Sequence, residues 1–340
     1  MELAPLRILP RFFSKVWAGA LLSSWADTTS WDPPEGTGEV WLVSDVEGAP
    51  SLLSGGGTLR EVLERDPAAL LGQRELAAQQ ARGETPRFPY LIKLIDIGPP
   101  ISVQLHPDAE TARALGDGER GKSEAWLILE AGPEGRVFAG APEGSLPAEL
   151  IAAAEAGTLG EALDSFQPEA GEGFPILPGT LHTARELVVL EAQETSDVTY
   201  RVFDWGRGRE LHLEQAREVL DRLGAGGRPP LAGPWARGQR ELAPGCPFRF
   251  LGLELPEGST LPLSPSDGPG VLVGLSGTCE LILRDGRSWE LSRGEVLVIP
   301  AGLCGEPGWA RLLAYGETRC AWIGPLELES PPEPDPRSSS

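Results

Sequence analysis

From Phe248 to Gly316 the chain runs FRFLGLEL, GVLVGLSGTCELIL, RSWEL, GEVLVIPAG and ARLLAYG, short apolar runs separated by turn residues. Runs of that length fit strands joined by tight connections, the signature of a small β-sandwich or barrel. The rest of the chain is punctuated in the same way. It has 43 glycines and 33 prolines among 340 residues, and 41% of its residues are hydrophobic and available for a core. Such a chain reads as folded and mainly β rather than as a helical bundle.

The length suits one large domain or two ordinary ones. Residues 1–225 read as a first β-domain with helical insertions at about 58–82, 146–167 and 211–223, the first of them divided into two helices by Pro67. Strands are expected at 39–44, 123–130, 174–177, 181–184, 187–193 and 198–204, with two more in 88–106 on either side of Gly98-Pro99-Pro100. Trp17, Trp25 and Trp31 are expected to anchor the N-terminal segment. Residues 226–245 form a Gly/Pro-rich connector, 246–328 a second β-domain, and 329–340 an acidic, proline-rich tail expected to be disordered. A weak repeat relates the two β-domains. GEGFPILPGT at 171–180 leads into Leu181-His182, whereas GEVLVIPAG at 294–302 leads into Leu303-Cys304. The second copy is therefore expected to bind no metal.

A net charge of −21 argues against nucleic acid and anionic membranes as partners. With neither a signal-peptide pattern nor an 18-residue apolar run, the expected location is the cytoplasm. The four cysteines form no C-x-x-C pair and are expected to be reduced thiols. Only three basic residues are lysines, Lys15, Lys93 and Lys122, and only three histidines occur, His106, His182 and His212. In so arginine-rich a chain, the places where an ammonium or an imidazole survives are informative.

Side chains alternate along a strand. In ISVQLHP, Ser102, Gln104 and His106 share one face, opposite the apolar Ile101, Val103 and Leu105. In GKSEAW, Lys122 and Glu124 share a face, and in PGTLHTA so do Thr180 and His182. Three short strands thus offer Gln104, His106, Glu124 and His182 to a common centre. Two imidazoles, a carboxylate and an amide oxygen suit a divalent metal with an open position. Two histidines and one carboxylate also describe a non-haem iron oxygenase site, which Gln104 and the nearby cations disfavour.

The segments QLHPD (104–108), GKSEAW (121–126), PGTLHTA (178–184) and ETSDVTYRVFDWGR (194–207), with RELHLEQA (209–216) and FPYLIKLID (88–96), resemble the motifs of type I phosphomannose isomerases in their short bacterial form. The resemblance covers about residues 5–325. It implies two cupin-type jelly-roll β-barrels with helical insertions, one zinc ion per chain, and interconversion of mannose 6-phosphate and fructose 6-phosphate through an enediolate. Carried over residue by residue, it assigns the metal to Gln104, His106, Glu124 and His182. Catalysis goes to Arg201, and a phosphate role to Ser102 and Lys122, the latter also a possible proton relay. The partner is then a small sugar phosphate, and the chain a monomer or small homo-oligomer. A doubly charged phosphate entering so acidic a protein needs a local positive pocket. Lys93, Lys122, Arg201, Arg207 and Arg209 lie in the motif segments and could supply it. A sugar-binding cupin without catalysis is the remaining alternative. Ser123 for the usual Thr, and a Pro-Gly turn one residue short before His182, depart from the family pattern.

Overall fold

The computed structural model describes residues 3–22, 31–118 and 120–326. Trp25 and the tail at 329–340 lie outside them. The fold is mainly antiparallel β. One sheet of nine strands runs, in spatial order, Tyr200–Phe203, Val103–Leu105, His182–Glu194, Tyr90–Ile97, Thr37–Val43 and Arg11–Ser14. The long strand Glu124–Ala139 also pairs with His182–Glu194 and carries two short strands beside it. The later part of the chain builds a seven-stranded and a four-stranded sheet, closed on an apolar interior that includes Leu253, Leu281, Cys304, Leu312 and Trp322. All four cysteines are free and buried.

Two features depart from the linear reading of domains. The strand Leu6–Leu9 pairs with Val296–Ile299, Leu6 opposite Val298, so the N-terminus completes a sheet of the C-terminal half. Within the expected connector, Gly238–Glu241 forms a strand against Phe248–Leu255. A single apolar cluster joins both halves, with Leu42, Leu70 and Phe88 from one and Phe250, Val273 and Val298 from the other. Each strand supplies an apolar face that alternation alone cannot assign to a particular sheet.

The helical segment 58–82 divides in three, Leu59–Arg65, Pro67–Leu71 and Gln73–Ala81. Thr58 and Glu61 close a capping box on the first, and Asp66 accepts from the Ala69 amide ahead of Pro67 on the second. The second break is Gly72, at φ +80°. The expected strands 181–184 and 187–193 are one strand, His182–Glu194, with a bulge at Glu186 (φ +49°) where the register shifts. The partner Glu124–Ala139 extends beyond the expected 123–130 and continues through Gly132-Pro133-Glu134-Gly135. A Cβ on Gly132 would lie 2.8 Å from the Glu186 carboxylate, and one on Gly135 2.9 Å from the Glu186 carbonyl oxygen. These glycines permit close approach to the bulge. Among the described residues, no helix is long and apolar enough to cross a membrane.

Candidate metal centre

The central strand begins with His182, directly opposite Gln104 on the neighbouring three-residue strand. His106 follows that strand, and Glu124 opens the strand on the other side of His182–Glu194. Among the described residues, His106, Glu124 and His182 form a group whose ligand atoms all lie within 4.8 Å of one another, and all three are buried. His106 Nε2 is 3.3 Å from Glu124 Oε2, and His182 Nε2 is 3.1 Å from Oε1.

The backbone determines which ring nitrogens carry protons. His106 Nδ1 lies 3.0 Å from the Val198 carbonyl oxygen and His182 Nδ1 2.9 Å from that of Thr180. A carbonyl only accepts, so each Nδ1 must donate, and each neutral ring then presents a lone pair at Nε2. His106 is neutral, because burial first and the Lys122 charge next pull its pKa down to about 3. Burial would raise the Glu124 carboxyl, but the charges of Lys122 and His106 outweigh it and hold the group well below the usual carboxylate range.

The cluster is therefore two lone pairs facing an ionised carboxylate in a dry site. Both rings lie within contact distance of the carboxylate, yet with the proton on Nδ1 neither Nε2 has a hydrogen to donate to it. His106 Nε2 and Glu124 Oε1 are buried without a hydrogen-bond partner, and Glu124 Oε2 has the Lys122 ammonium, 2.9 Å away, as an ion-pair partner. Acceptors aimed at one another cost free energy unless a cation sits between them, so the residues present fit a divalent metal. Gln104 stands at the edge of the cluster, its amide nitrogen 3.2 Å from His182 Nε2. A half-turn of the amide would present its oxygen instead.

Other expected site residues are placed differently. The Lys122 ammonium is 2.9 Å from Glu124 Oε2, against the centre itself. Lys93 is buried on the adjacent strand, 3.0 Å from Glu191 and donating to the Gln193 amide oxygen at 2.7 Å. Ser102 is buried beside the same short strand. Arg201 is the cross-strand partner of Gln104, so both side chains leave the sheet on one face. The Arg201 amide donates to His212 Nδ1, and the His212 amide donates back to the Arg201 carbonyl. His212 thus holds the Arg201 strand, and although it is the N-cap residue of Leu213–Leu223 its side chain makes no capping hydrogen bond.

Several supporting groups carry no sequence signal. Trp126 is fully buried with its ring edge-on to His182, and its indole N–H donates to Glu191 at 2.9 Å, linking the centre to the Lys93 pair. The Val198 carbonyl is invisible in sequence because any residue could provide it. In the second copy of the repeat, the stretch after Pro300 coils into a short helix, Ala301–Cys304, where the first copy enters the strand that begins with His182. A cavity of about 490 Å³ opens in that half, lined in part by Arg249, Leu253 and Trp322, and shares no residue with the His–Glu–His cluster.

The metal-free protein should be acid-labile. Below about pH 6.5 the unfolded chain protonates His106, which the native state leaves neutral down to about pH 3. Glu124 adds the same effect at lower pH, because its native pKa is also depressed. Stability falls with pH across this window, by at most about 1.4 kcal/mol per pH unit for each proton. Chelator-treated protein is expected to melt several degrees lower at pH 4.5 than at pH 7. An unchanged melting temperature would contradict a buried neutral imidazole.

Fold and cluster together define a cupin-type β protein with a His–Glu–His centre suited to a metal ion. The profile described as "Phosphomannose isomerase type I, catalytic domain" matches residues 6–124. The mannose-6-phosphate isomerase ManA of Bacillus subtilis (strain 168) is 32% identical over 232 residues, 65% of this chain and 69% of that protein. The mannose-6-phosphate isomerase of Streptococcus mutans is 32% identical over 228 residues, covering 64% and 67% respectively. The crystal structure of a Bacillus subtilis mannose 6-phosphate isomerase superposes with a TM-score of 0.74 at 24% identity, over 94% of this chain and 99% of the other. The chain belongs to the type I phosphomannose isomerase family, a family of enzymes.

Proposed function

We propose that this chain interconverts mannose 6-phosphate and fructose 6-phosphate in the cytoplasm, using one zinc ion held by His106, Glu124 and His182, with Gln104 as a fourth ligand after its amide turns. The observation that carries this reading is the buried set of lone pairs around the ionised Glu124, in a chain of this family. A divalent cation there supplies Lewis-acid polarisation of the substrate's carbonyl and adjacent hydroxyl oxygens.

The chain's own residues supply the rest. The Thr180 and Val198 carbonyls keep the two rings in the tautomer that faces the cation. Lys122 Nζ lies against Glu124 at the centre and is the group we assign to the proton relay, its neutral amine accepting the proton from one carbon and the resulting ammonium returning it to the other. Arg201 stays charged and lies one strand from Gln104, where its guanidinium balances the negative charge that develops on the substrate oxygens. Burial of all three ligands excludes water from the enediolate.

The test is a coupled assay of zinc-loaded protein on a panel of sugar phosphates and free sugars. Turnover of mannose 6-phosphate well above that of mannose supports the reading. Oxygen uptake with Fe(II), or no turnover of any sugar, would replace it with the oxygenase or the binding-only alternative.

A further inference from the structure

The repeat that places His182 in the first copy places Cys304 in the second. Gly305, the next residue, lines the cavity of about 490 Å³ in the C-terminal half. The second barrel thus keeps a cavity beside the position that a candidate metal ligand takes in the first, while the ligands themselves are gone. Its volume falls within the range of about 300–1,000 Å³ that small-molecule sites occupy.

Trp322 forms one wall of this cavity. Gly324 lies two residues further along its strand, and Gly270 lies two residues before Leu272, the cross-strand partner of Trp322. A Cβ on Gly270 would lie 2.2 Å from the indole Cη2, and one on Gly324 2.8 Å from Nε1. Two strand glycines are therefore needed for the ring to lie along the sheet, one face on their backbone and the other toward the cavity. Flanked by Leu251, Leu253 and Leu263, the indole offers an apolar platform of the size of a small ring.

Polar groups stand around the platform. Gln239 is the cross-strand partner of Leu253, and Arg249 precedes Leu251 by two residues, so both leave the sheet on the platform's face. Ser264 and Asp267 come from a loop held in place at two points. The Trp309 indole donates to the Ser264 carbonyl at 3.0 Å, and the Ser266 amide donates to the Cys304 carbonyl at 2.9 Å. Both charges on the walls are matched from outside. Asp267 lies 3.0 Å from Arg74 and Arg249 3.6 Å from Glu241, and neither partner lines the cavity. The walls thus present donors and acceptors without an uncompensated charge. A neutral ligand with an apolar ring face and an edge of hydroxyl groups satisfies both features at once, since each hydroxyl donates and accepts.

We infer that the second barrel is a non-catalytic sugar site, which binds a neutral pyranose ring stacked on Trp322 with its hydroxyl groups on Gln239, Arg249, Ser264 and Asp267. The inference does not depend on the isomerase reading, because the cavity and the His–Glu–His cluster have no residue in common. A phosphorylated sugar fits less well, because its charge would have to compete with Glu241 for Arg249.

The experiment titrates zinc-loaded full chain with methyl α-D-mannopyranoside, methyl α-D-glucopyranoside and methyl α-D-galactopyranoside, with and without mannose 6-phosphate. These glycosides are locked as rings and cannot be isomerised, and their binding is read by saturation-transfer NMR. Wild type is compared with Trp322→Leu and with Gln239→Ala/Ser264→Ala. Wild type should bind at least one glycoside, and mannose 6-phosphate should not displace it. The dissociation constant should rise about tenfold or more in Trp322→Leu and about fivefold or more in the alanine pair, with turnover of mannose 6-phosphate within about twofold of wild type. Gln239 and Ser264 are exposed, so the alanine pair decides the matter even where loss of the indole unfolds the barrel. No glycoside binding by wild type, or binding that the alanine pair leaves unchanged, overturns the sugar site. So does displacement by mannose 6-phosphate, which would place the glycoside at the His–Glu–His cluster. Wild type that binds a glycoside through this cavity yet isomerises no sugar phosphate upholds the inference and overturns the isomerase reading instead.

Discussion

Glu124→Ala is expected to eliminate both metal binding and turnover. Glu124 faces both imidazoles and Lys122 in a buried site, so its loss leaves two imidazoles and a buried ammonium with no carboxylate to hold a dication. Lewis-acid stabilisation of the enediolate contributes several kcal/mol, so kcat/KM should fall by roughly a thousandfold or more. Metal content by elemental analysis and turnover should fall together in this variant and in His106→Ala. Because the alanine variant also strands the Lys122 charge, Glu124→Gln provides a control of the same shape, which should lose metal with a smaller loss of stability. Full activity in a sample verified to be metal-free would end the metalloenzyme reading.

The second large effect is on stability. Lys93→Met should cost about 3–5 kcal/mol, because it leaves the Glu191 carboxylate buried with the Trp126 indole as its remaining close donor. Burial alone would lower the Lys93 pKa, but Glu191 and then Glu39 outweigh it and raise the value, so the lysine is charged in the native state. Against a typical total of about 5–15 kcal/mol, that loss should move the urea midpoint far to lower concentration. Adding Glu191→Leu should restore part of it by removing the orphaned charge. The same measurement separates two roles for Lys93. A phosphate ligand would raise KM for mannose 6-phosphate and leave the urea midpoint nearly in place, whereas a structural cation does the reverse.

The candidate metal ligands were legible because strand alternation is local. Once ISVQLHP and the segments around Glu124 and His182 read as strands, the polar set had to share faces, and the rarity of histidine made two of them conspicuous. The second copy ends in Cys304 where the first reaches His182, a difference likewise written in the sequence. Less legible were features that depend on what lies opposite. The strand expected at 123–130 continues to Ala139, because nothing local reveals the bulge at Glu186 that Gly132 and Gly135 accommodate. Lys93 read as a candidate phosphate ligand because its partner Glu191 lies 98 residues away in sequence.

The sequence by itself determined the class of fold and pointed to His106, Glu124 and His182 as one group, since these follow from alternation, turn chemistry and motif order within short windows. Tertiary structure alone decided that Leu6–Leu9 completes a sheet of the C-terminal half, that Trp126 and Glu191 tie Lys93 to the centre, and that Asp204 gathers two arginines beside Arg201. The physical reason is the same in each case. A strand's sequence specifies which side chains share a face, but hydrogen-bonding edges accept any strand of suitable register, and a buried charge is defined by its neighbour in space.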